Sequence, residues 1–483
     1  MDAQRTSIAV PLVLDLDGTV VRSNLLVETA LVFARRHPLR AFMLLIWLIQ
    51  GRAVLKQKLA AAALLEVDTL PLNQQLLAHA QAQAALGREV FIATAADSFI
   101  AERVAERIPF AAGVIASDGR LNLKGAAKAQ ALTSRFPDGF EYAGDARADI
   151  AVWRVATSAI VVEASPSLAH AAASVTSVTH VFPRPSRLKP LLKSLRPHQW
   201  AKNGLVFVPL ILSARLTQFE PLIATLIAFV AMNLVASATY IVNDLFDLPD
   251  DRRHWSKSRR PLASGDLPLL TGLGVALVGL LLGFGLALIA GPAVAAGILA
   301  YAVITLAYSF GLKRKPIIDA FTLAALFTLR IGIGIAASGA PPSPWLLVFS
   351  MFLFASLSFA KRHTEVAGVI KRGGTDIRGR GYQIVDLPLI LALGVSTGMC
   401  AVFIMVMYII DDAFRQSFYG DTLWLWGFPI ILFLFISRVW LMCQREQMHD
   451  DPVAFAVRDR PSLVLGFALM VCFLAAWTGG LSW

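Results

Sequence analysis

The chain has 483 residues, 56% of them hydrophobic and 16% charged, with a formal net charge of +11. It is longer than a typical single domain and too apolar for a soluble globular protein of its size, which points to membrane spans. The positive charge accompanies no nucleic-acid-binding motif, which argues against that partner class. It fits the positive-inside bias of cytoplasmic loops, with attraction to anionic lipid or phosphorylated ligands as a functional addition.

Residues 1–163 have the composition of a soluble domain, and no cleavable signal peptide is visible, so this part is expected in the cytoplasm. Residues 9–14 (AVPLVL) form a short apolar run that ends in DLDGT, residues 15–19. Such a run fits a buried parallel strand, and carboxylates at its C-terminal end would face the crevice where α/β sheets bind ligands. Three segments follow. Residues 90–94 (VFIAT) read as a strand ending in a hydroxyl, and residues 124–128 (KGAAK) open an amphipathic stretch. Residues 140–145 (FEYAGD) read as a strand ending in an acid, with Asp149 four residues on.

In this order the four segments resemble the four motifs of the haloacid dehalogenase (HAD) phosphatase superfamily, over about residues 8–163. The resemblance implies an α/β, Rossmann-like domain with a helical cap at about residues 22–88. Asp15 would be the nucleophile that forms a phospho-aspartate and Asp17 the general acid/base. Thr94 and Lys128 would hold the phosphoryl oxygens, with Lys124 as a substitute for Lys128. Asp145 and Asp149 would bind Mg²⁺ together with Asp15. Within the cap, residues 39–50 (LRAFMLLIWLIQ) are very apolar but too short to span a bilayer. They read either as a buried cap helix or as an interfacial helix. On the interfacial reading Arg35, Arg36 and Arg40 suit anionic headgroups, and Leu44 and Trp47 carry the contact.

Residues 164–197 are rich in Ser, Pro, Lys and Arg and read as a basic linker. From residue 198 one apolar stretch follows another, at about 199–215, 219–243, 268–289, 292–309, 317–338, 344–360, 384–410, 423–441 and 461–480. Each is near the length needed to cross the hydrocarbon core, so an all-α domain of nine transmembrane helices is expected over 198–483. With the N-terminus inside, the cytoplasmic loops carry Arg252, Arg253, Lys257, Arg259 and Arg260, then Lys313, Arg314 and Lys315. The next two carry Lys361, Arg362, Lys371, Arg372, Arg378 and Arg380, then Arg438, Arg445, Arg458 and Arg460, while the opposite loops carry only Arg215 and Arg415. This asymmetry predicts a multi-pass protein of the cytoplasmic membrane with its polar clusters on the cytoplasmic face. Cys400, Cys443 and Cys472 show no metal-ligand spacing and read as small core residues.

The second apolar stretch runs into NDLFDLPDDRRH, residues 243–254, where Asn243, Asp247 and Asp251 recur every four residues with Asp244 alongside. On a continuing helix they share a face, and such carboxylates repel one another unless a cation sits between them. Mg²⁺, which favours one or two carboxylates plus substrate phosphates, suits that role. The segment also resembles the first aspartate-rich motif of the UbiA superfamily of intramembrane prenyltransferases. A narrower resemblance rests on residues 196–203 (RPHQWAKN), 243–261, 308–313 (YSFGLK) and 451–453 (DPV). It is to the polyprenyl-phosphate phosphoribosyltransferases, which act on phosphoribosyl diphosphate (PRPP) and a polyprenyl phosphate.

Ordinary members carry a second motif, D-x-x-x-D. Here only Asp319 is present, and Leu323 stands where the second acid would be. The resemblance implies that Asn243, Asp244, Asp247 and Asp251 hold the donor through Mg²⁺, and that Lys257, Arg260 and Lys313 contact its phosphates. Lys202, Lys361 and Arg362 either seat the lipid phosphate or snorkel to the interface. Tyr308 orients a phosphate or is an interfacial aromatic, and His254 is a weaker donor contact.

Taken together, the two resemblances imply phosphoribosyl transfer to a polyprenyl phosphate followed by removal of the 5-phosphate. The alternative is a prenyltransferase acting on an aromatic acceptor beside an independent phosphatase. Lipid chain length and oligomeric state stay open.

Overall fold

The structure is a computed structural model that describes residues 10–117, 123–371, 373, 380–415, 419–448, 452–456 and 458–479. Arg372, Arg378, Asp451 and the side chain of Val453 lie outside the described residues. The chain forms two compact units, Met1–Arg196 with Tyr240–Leu277, and Pro197–Thr239 with Val278–Trp483.

The first unit is built on a parallel sheet of β1 (Leu12–Leu14), β2 (Val90–Asp97), β3 (Ala111–Ser117), β4 (Glu141–Gly144), β5 (Ser158–Ala164) and β6 (Ser177–Pro183). The strand order is β3-β2-β1-β4-β5-β6. Leu12 and Leu14 enter one core cluster and Val13 the other, so β1 is buried on both faces and needs no polar alternation. Each such side chain contributes about 1.5–3 kcal/mol by leaving water. Chain order reverses between β1 and β4, which opens a crevice beyond their C-terminal ends.

The segment expected to be a cap carries four α-helices, α1 (Leu25–Arg36), α2 (Met43–Ile49), α3 (Arg52–Ala62) and α4 (Gln74–Ala85). The Asn24 and Asn73 side chains accept from Val27 N and Leu76 N and so cap α1 and α4. In α2, Trp47 turns inward against Phe33, with ring centroids 5.1 Å apart, and Leu44 is partly buried beside it. Phe42, Leu45, Ile46 and Ile49 face outward instead. The pair expected to touch lipid therefore lies on the packed face.

Helices α5 (Ser98–Ala105), α6 (Ala126–Arg135) and α7 (Ile150–Trp153) complete the expected layers. Residues 164–197 are not a linker. They form α8 (Pro166–Ala173), β6 and α9 (Leu188–Leu195). β6 pairs with β5 from Ser158↔Ser177 onward but is an edge strand with mostly exposed side chains, so it lacks the apolar run of a central strand.

Eight helices among the described residues are long and apolar enough to cross a membrane, where nine were expected. The difference lies at the first. Pro197–Phe207 is a 3₁₀ helix that passes into the short α10 (Val208–Leu212), followed by the 28-residue α11 (Phe219–Phe246). Trp200 Nε1 donates to Ser237 Oγ at 3.0 Å, Asn203 Nδ2 to Asn233 Oδ1 at 2.7 Å, and Phe207 packs on Phe229 at 5.3 Å. The segment thus runs antiparallel to α11. From residue 229 to 237, α11 covers about 12 Å. The seven steps from 200 to 207 cover about 14 Å as 3₁₀ helix, against about 10 Å as α-helix. The three anchors therefore hold the segment along α11 without selecting between the two rises. Arg330 Nε adds to this tether by donating to Asn203 Oδ1 at 2.8 Å.

After Asp247 the chain re-enters helix as α12 (Leu248–Arg253), with Pro249 in its first turn. Asp247 N still donates to Asn243 O at 2.9 Å and Asp251 N to Asp247 O at 2.8 Å, so the four-residue repeat survives the break. The remaining helices are α13 (Leu269–Ala290), α14 (Pro292–Phe310), α15 (Ile318–Ser338), α16 (Pro344–Lys371), α17 (Leu387–Asp411), α18 (Gly427–Gln444), α19 (Pro452–Ala456) and α20 (Arg460–Thr478). Small residues allow close approach in the second unit. A Cβ at Gly394 would collide with the Trp440 indole, whose Nε1 donates to Ser356 Oγ at 3.0 Å. The chain is a multi-pass membrane protein.

Candidate active sites

Three carboxylates meet at the C-terminal ends of β1 and β4. Asp15, Asp145 and Asp149 each offer an oxygen, and these oxygens lie within 4.8 Å of one another. Asp15 follows β1 directly and pairs with Lys128 Nζ of α6 at 2.7 Å. The same ammonium donates to Tyr142 Oη at 2.9 Å and Ala93 O at 3.2 Å. Tyr142 in turn donates to Asp149 Oδ1 at 3.2 Å, and Asp149 Oδ2 accepts from Asp145 N and Ala146 N at 3.2 and 3.0 Å. Asp17 Oδ1 accepts from Leu25 N at 2.7 Å, which fixes it between the strand end and the cap. Gly18 has φ +78°, and a Cβ there would run into the Asp145 carboxylate. A glycine therefore lets the DLDGT turn close on the acids.

These groups border a cavity of about 770 Å³ within the first unit. Lys124 lines it as well as Lys128. Thr94 is fully buried in β2, and its hydroxyl accepts from Ala96 N at 3.0 Å; from that strand the cavity wall includes Ala95 and Asp97. Three cations without an expected role also line it. Lys56 reaches from α3 and donates to Ala95 O at 2.9 Å, and Arg22 and Arg187 flank Glu163 at 3.9 and 3.8 Å. The wall thus mixes clustered carboxylates with a basic ring, which suits a metal beside a phosphate.

Burial, followed by the charges of Asp15 and Asp149, pushes Asp145 up to about 8. Burial and then Asp15 push Asp149 up to about 6. Burial also raises Asp17 to about 6, against the lowering bond from Leu25 N. Acids forced together in this way fit a divalent cation that would neutralise them.

The acidic segment differs from its expectation. Asp244 and Asp251 are buried, but arginines supply the cations between them. Arg196 Nη2 donates to both Asp244 oxygens at 2.6 and 2.8 Å. Arg260 Nη1 bridges Asp244 Oδ1 at 2.9 Å and Asp251 Oδ2 at 2.5 Å. Burial pushes Asp251 up to about 6, with Arg260 acting against it and Asp244 with it. Among the described residues Asp244, Asp247 and Asp251 form no three-acid group with metal-ligand spacing. Asn243 and Asp247 are half-buried and Lys257 is exposed. His254 Nδ1 accepts from Ser256 N and Lys257 N at 3.3 and 3.4 Å and so shapes its own loop.

The same segment is tied to the cap. Arg252 makes a two-pronged contact with Glu28 at 2.6 and 3.2 Å, Arg35 meets Asp250 at 2.6 Å, and Arg253 meets Glu66 at 2.6 Å.

In the second unit, Asp319 is 0% exposed. It faces Arg362 Nε at 2.6 Å and Arg380 Nη1 at 3.2 Å, and accepts from Tyr382 Oη at 2.6 Å. Both arginines also reach Glu365, at 2.5 and 3.3 Å, and both donate to Tyr308 Oη, at 3.3 and 3.2 Å. Tyr308 and Arg362 are thus brought together, in a cage around Asp319. Lys202, Lys313 and Lys361 are half-buried, and each has an interaction partner.

A model of the UbiA prenyltransferase family matches residues 205–458. The uncharacterized protein y4nM of Sinorhizobium fredii is 36% identical over 470 residues, covering 96% of this chain and 91% of that protein. Nodulation protein NoeC of Azorhizobium caulinodans is 35% identical over 289 residues, covering 58% of this chain and 92% of that protein. Decaprenyl-phosphate phosphoribosyltransferase of Corynebacterium glutamicum is 38% identical over 192 residues, covering 39% of this chain and 58% of that protein.

Among solved structures, a UbiA homolog from Archaeoglobus fulgidus bound to DMAPP and Mg²⁺ is 15% identical, with a TM-score of 0.46 over 60% of this chain and 99% of that one. A phosphoserine phosphatase in apo form is 16% identical, with a TM-score of 0.27 over 38% of this chain and 98% of that one. The chain belongs to the UbiA prenyltransferase family.

Proposed function

We propose that the chain is a bifunctional enzyme of the cytoplasmic membrane, with both sites on the cytoplasmic face. Its UbiA part transfers phosphoribose from PRPP to a polyprenyl phosphate. Its N-terminal part removes the 5-phosphate of that lipid-linked product, leaving polyprenylphosphoryl ribose for cell-envelope glycan synthesis. The observation that carries the donor assignment is the cage around Asp319. A donor diphosphate held by a second metal needs a second acidic pair; here Leu323 stands in place of one acid, and Arg362, Arg380 and Tyr382 engage the other. The similarity to decaprenyl-phosphate phosphoribosyltransferase supports the same reading.

In the transfer, an oxygen of the lipid phosphate bonds to the anomeric carbon, and the bond from that carbon to diphosphate breaks with its electron pair. The acceptor is already an anion, so it needs positioning and charge screening more than a base. Asn243, Asp244, Asp247 and Asp251 carry the oxygen ligands that Mg²⁺ prefers; to bind it, Asp244 and Asp251 would exchange the arginines that hold them for the ion, which would neutralise the leaving diphosphate. Arg260 and Lys257, on the same segment, would contact its phosphates.

In the hydrolysis, an Asp15 oxygen bonds to phosphorus, the ester bond breaks, and the ribose oxygen takes the proton of Asp17. Water then attacks the phospho-aspartate, gives its proton to Asp17 and frees phosphate. Lys128 and the basic cavity wall hold the phosphoryl oxygens, and Mg²⁺ on Asp15, Asp145 and Asp149 would screen their charge.

The test is to give the purified chain Mg²⁺, a polyprenyl phosphate and ribose-labelled PRPP. Label in the lipid fraction is expected, and Asp247→Ala should abolish it. Absence of lipid label, with transfer instead from a prenyl diphosphate to an aromatic acceptor, overturns the reading.

A further inference from the structure

The outward side chains of α2 have no function in the chemistry above. Phe42, Leu45, Ile46 and Ile49 fall at helical positions i, i+3, i+4 and i+7, so they form one stripe, and Ile49 is 86% exposed. The opposite face packs Trp47 on Phe33, which fixes the stripe outward. Leu48, on the same helix, lines the cavity that holds Asp15. So do Pro268, Leu269 and Leu270, at the start of α13. α13 is a candidate membrane span, and Leu270, Leu273 and Leu277 are exposed along its first turns. The cavity mouth therefore has two apolar lips, and one of them is the beginning of a candidate membrane-spanning helix with an exposed apolar face. Arg36 and Arg40 stand exposed just ahead of the α2 stripe, as headgroup contacts would.

We propose that α2 lies in the lipid interface and, with the first turn of α13, forms a mouth through which the cavity takes a phosphomonoester still anchored in the bilayer. The occupant of the stripe is the lipid surface, because the helix that carries it borders, through Leu48, the same cavity as the start of a candidate membrane span. This rests on the phosphatase reading only for the substrate; the contact of α2 with lipid stands apart from it. An anchored substrate needs the catalytic acids near the membrane surface, and a mouth half built from a membrane helix holds them there.

The experiment uses the full chain in vesicles of phosphatidylethanolamine and phosphatidylglycerol. A fluorophore is placed on Ile49→Cys, in a background carrying Cys400→Ala, Cys443→Ala and Cys472→Ala. Quenching by lipid-borne doxyl groups and protection from aqueous iodide are expected. In parallel, a Phe42→Ser, Leu45→Ser, Ile49→Ser variant is assayed on polyprenylphosphoryl ribose 5-phosphate and on soluble ribose 5-phosphate. At least a tenfold loss on the lipid substrate, with the soluble one unchanged, is expected. Iodide quenching alone, or full activity of the variant on the lipid substrate, overturns the proposal. If the unsubstituted chain hydrolyses neither substrate, the phosphatase reading fails, and the quenching result alone decides the lipid contact.

Discussion

Replacing Glu28 by Gln tests whether the acidic segment and the helices α1–α4 are one rigid piece. Glu28 and Arg252 are 3% and 5% exposed at their side chains and meet at 2.6 Å. Glu28 also accepts from Ser23 Oγ at 2.5 Å, and Arg252 Nε donates to Ala263 O at 3.1 Å. Glu28→Gln keeps the shape but leaves the guanidinium buried beside a neutral amide. Breaking one side of such a pair costs about 3–5 kcal/mol. Replacing both partners by apolar residues of similar size, Glu28→Leu with Arg252→Met, should return to within about 1.5 kcal/mol of the original, because no charge is left stranded.

The assay is urea unfolding of the micelle-bound full chain followed by pulse proteolysis, so that the water-facing unit unfolds first. The double variant should therefore recover at least about 1.5–3.5 kcal/mol of the loss seen on breaking one side. A Glu28→Gln loss below about 1 kcal/mol, or a double variant no better than the single, would refute the reasoning, since a solvated pair behaves that way.

Other expectations concern charge. Asp145 at about 8 and Asp149 at about 6 keep protons in the metal-free folded state that the unfolded chain releases near pH 4. Stability without metal should therefore fall as pH rises from about 4 to about 8. The thermal gain on adding Mg²⁺ should be larger at pH 8 than at pH 5; equal gains would count against the cluster as a metal site. Lys128→Met removes the counter-charge of Asp15 and should lower phosphatase turnover by about 10²–10³-fold while leaving phosphoribosyl transfer intact. A parallel loss of both activities would show that Lys128 acts on the fold. Asp319→Asn should lower thermal stability, because it leaves Arg362 and Arg380 with Glu365 as their one acidic partner among the contacts above, yet leave the Mg²⁺ dependence of transfer unchanged. A shift in that dependence would make Asp319 a metal ligand.

That Asp15, Lys128, Asp145 and Asp149 come together follows a local pattern, because each sits at the end of an apolar strand or near the start of a helix. β6 was not readable, because an edge strand is held by backbone pairing to β5 and carries little apolar signal. The 3₁₀ form of Pro197–Phe207 was hidden for a related reason. Hydropathy reports that a segment is apolar but not its rise, and the anchors Trp200–Ser237 and Asn203–Asn233 join residues 37 and 30 apart in the chain.

Arg196 was visible in its motif, but its partner Asp244 is 48 residues away, and nothing local links them. The cage on Asp319 likewise draws Arg380 from 61 and Tyr382 from 63 residues along the chain. Glu28 had a signal: a single acid within the otherwise apolar LLVETALVF of α1 needs a buried partner. The four-residue repeat of Asn243, Asp247 and Asp251 was read correctly, whereas the cations between Asp244 and Asp251 came from distant arginines.

The most direct measurement follows ribose-labelled PRPP into lipid with the unsubstituted chain and with Asp15→Asn. The account predicts labelled polyprenylphosphoryl ribose without a 5-phosphate from the first, and the 5-phosphorylated lipid, at an unchanged rate of formation, from the second. A single lipid product, identical in both reactions, would contradict two consecutive steps in one chain.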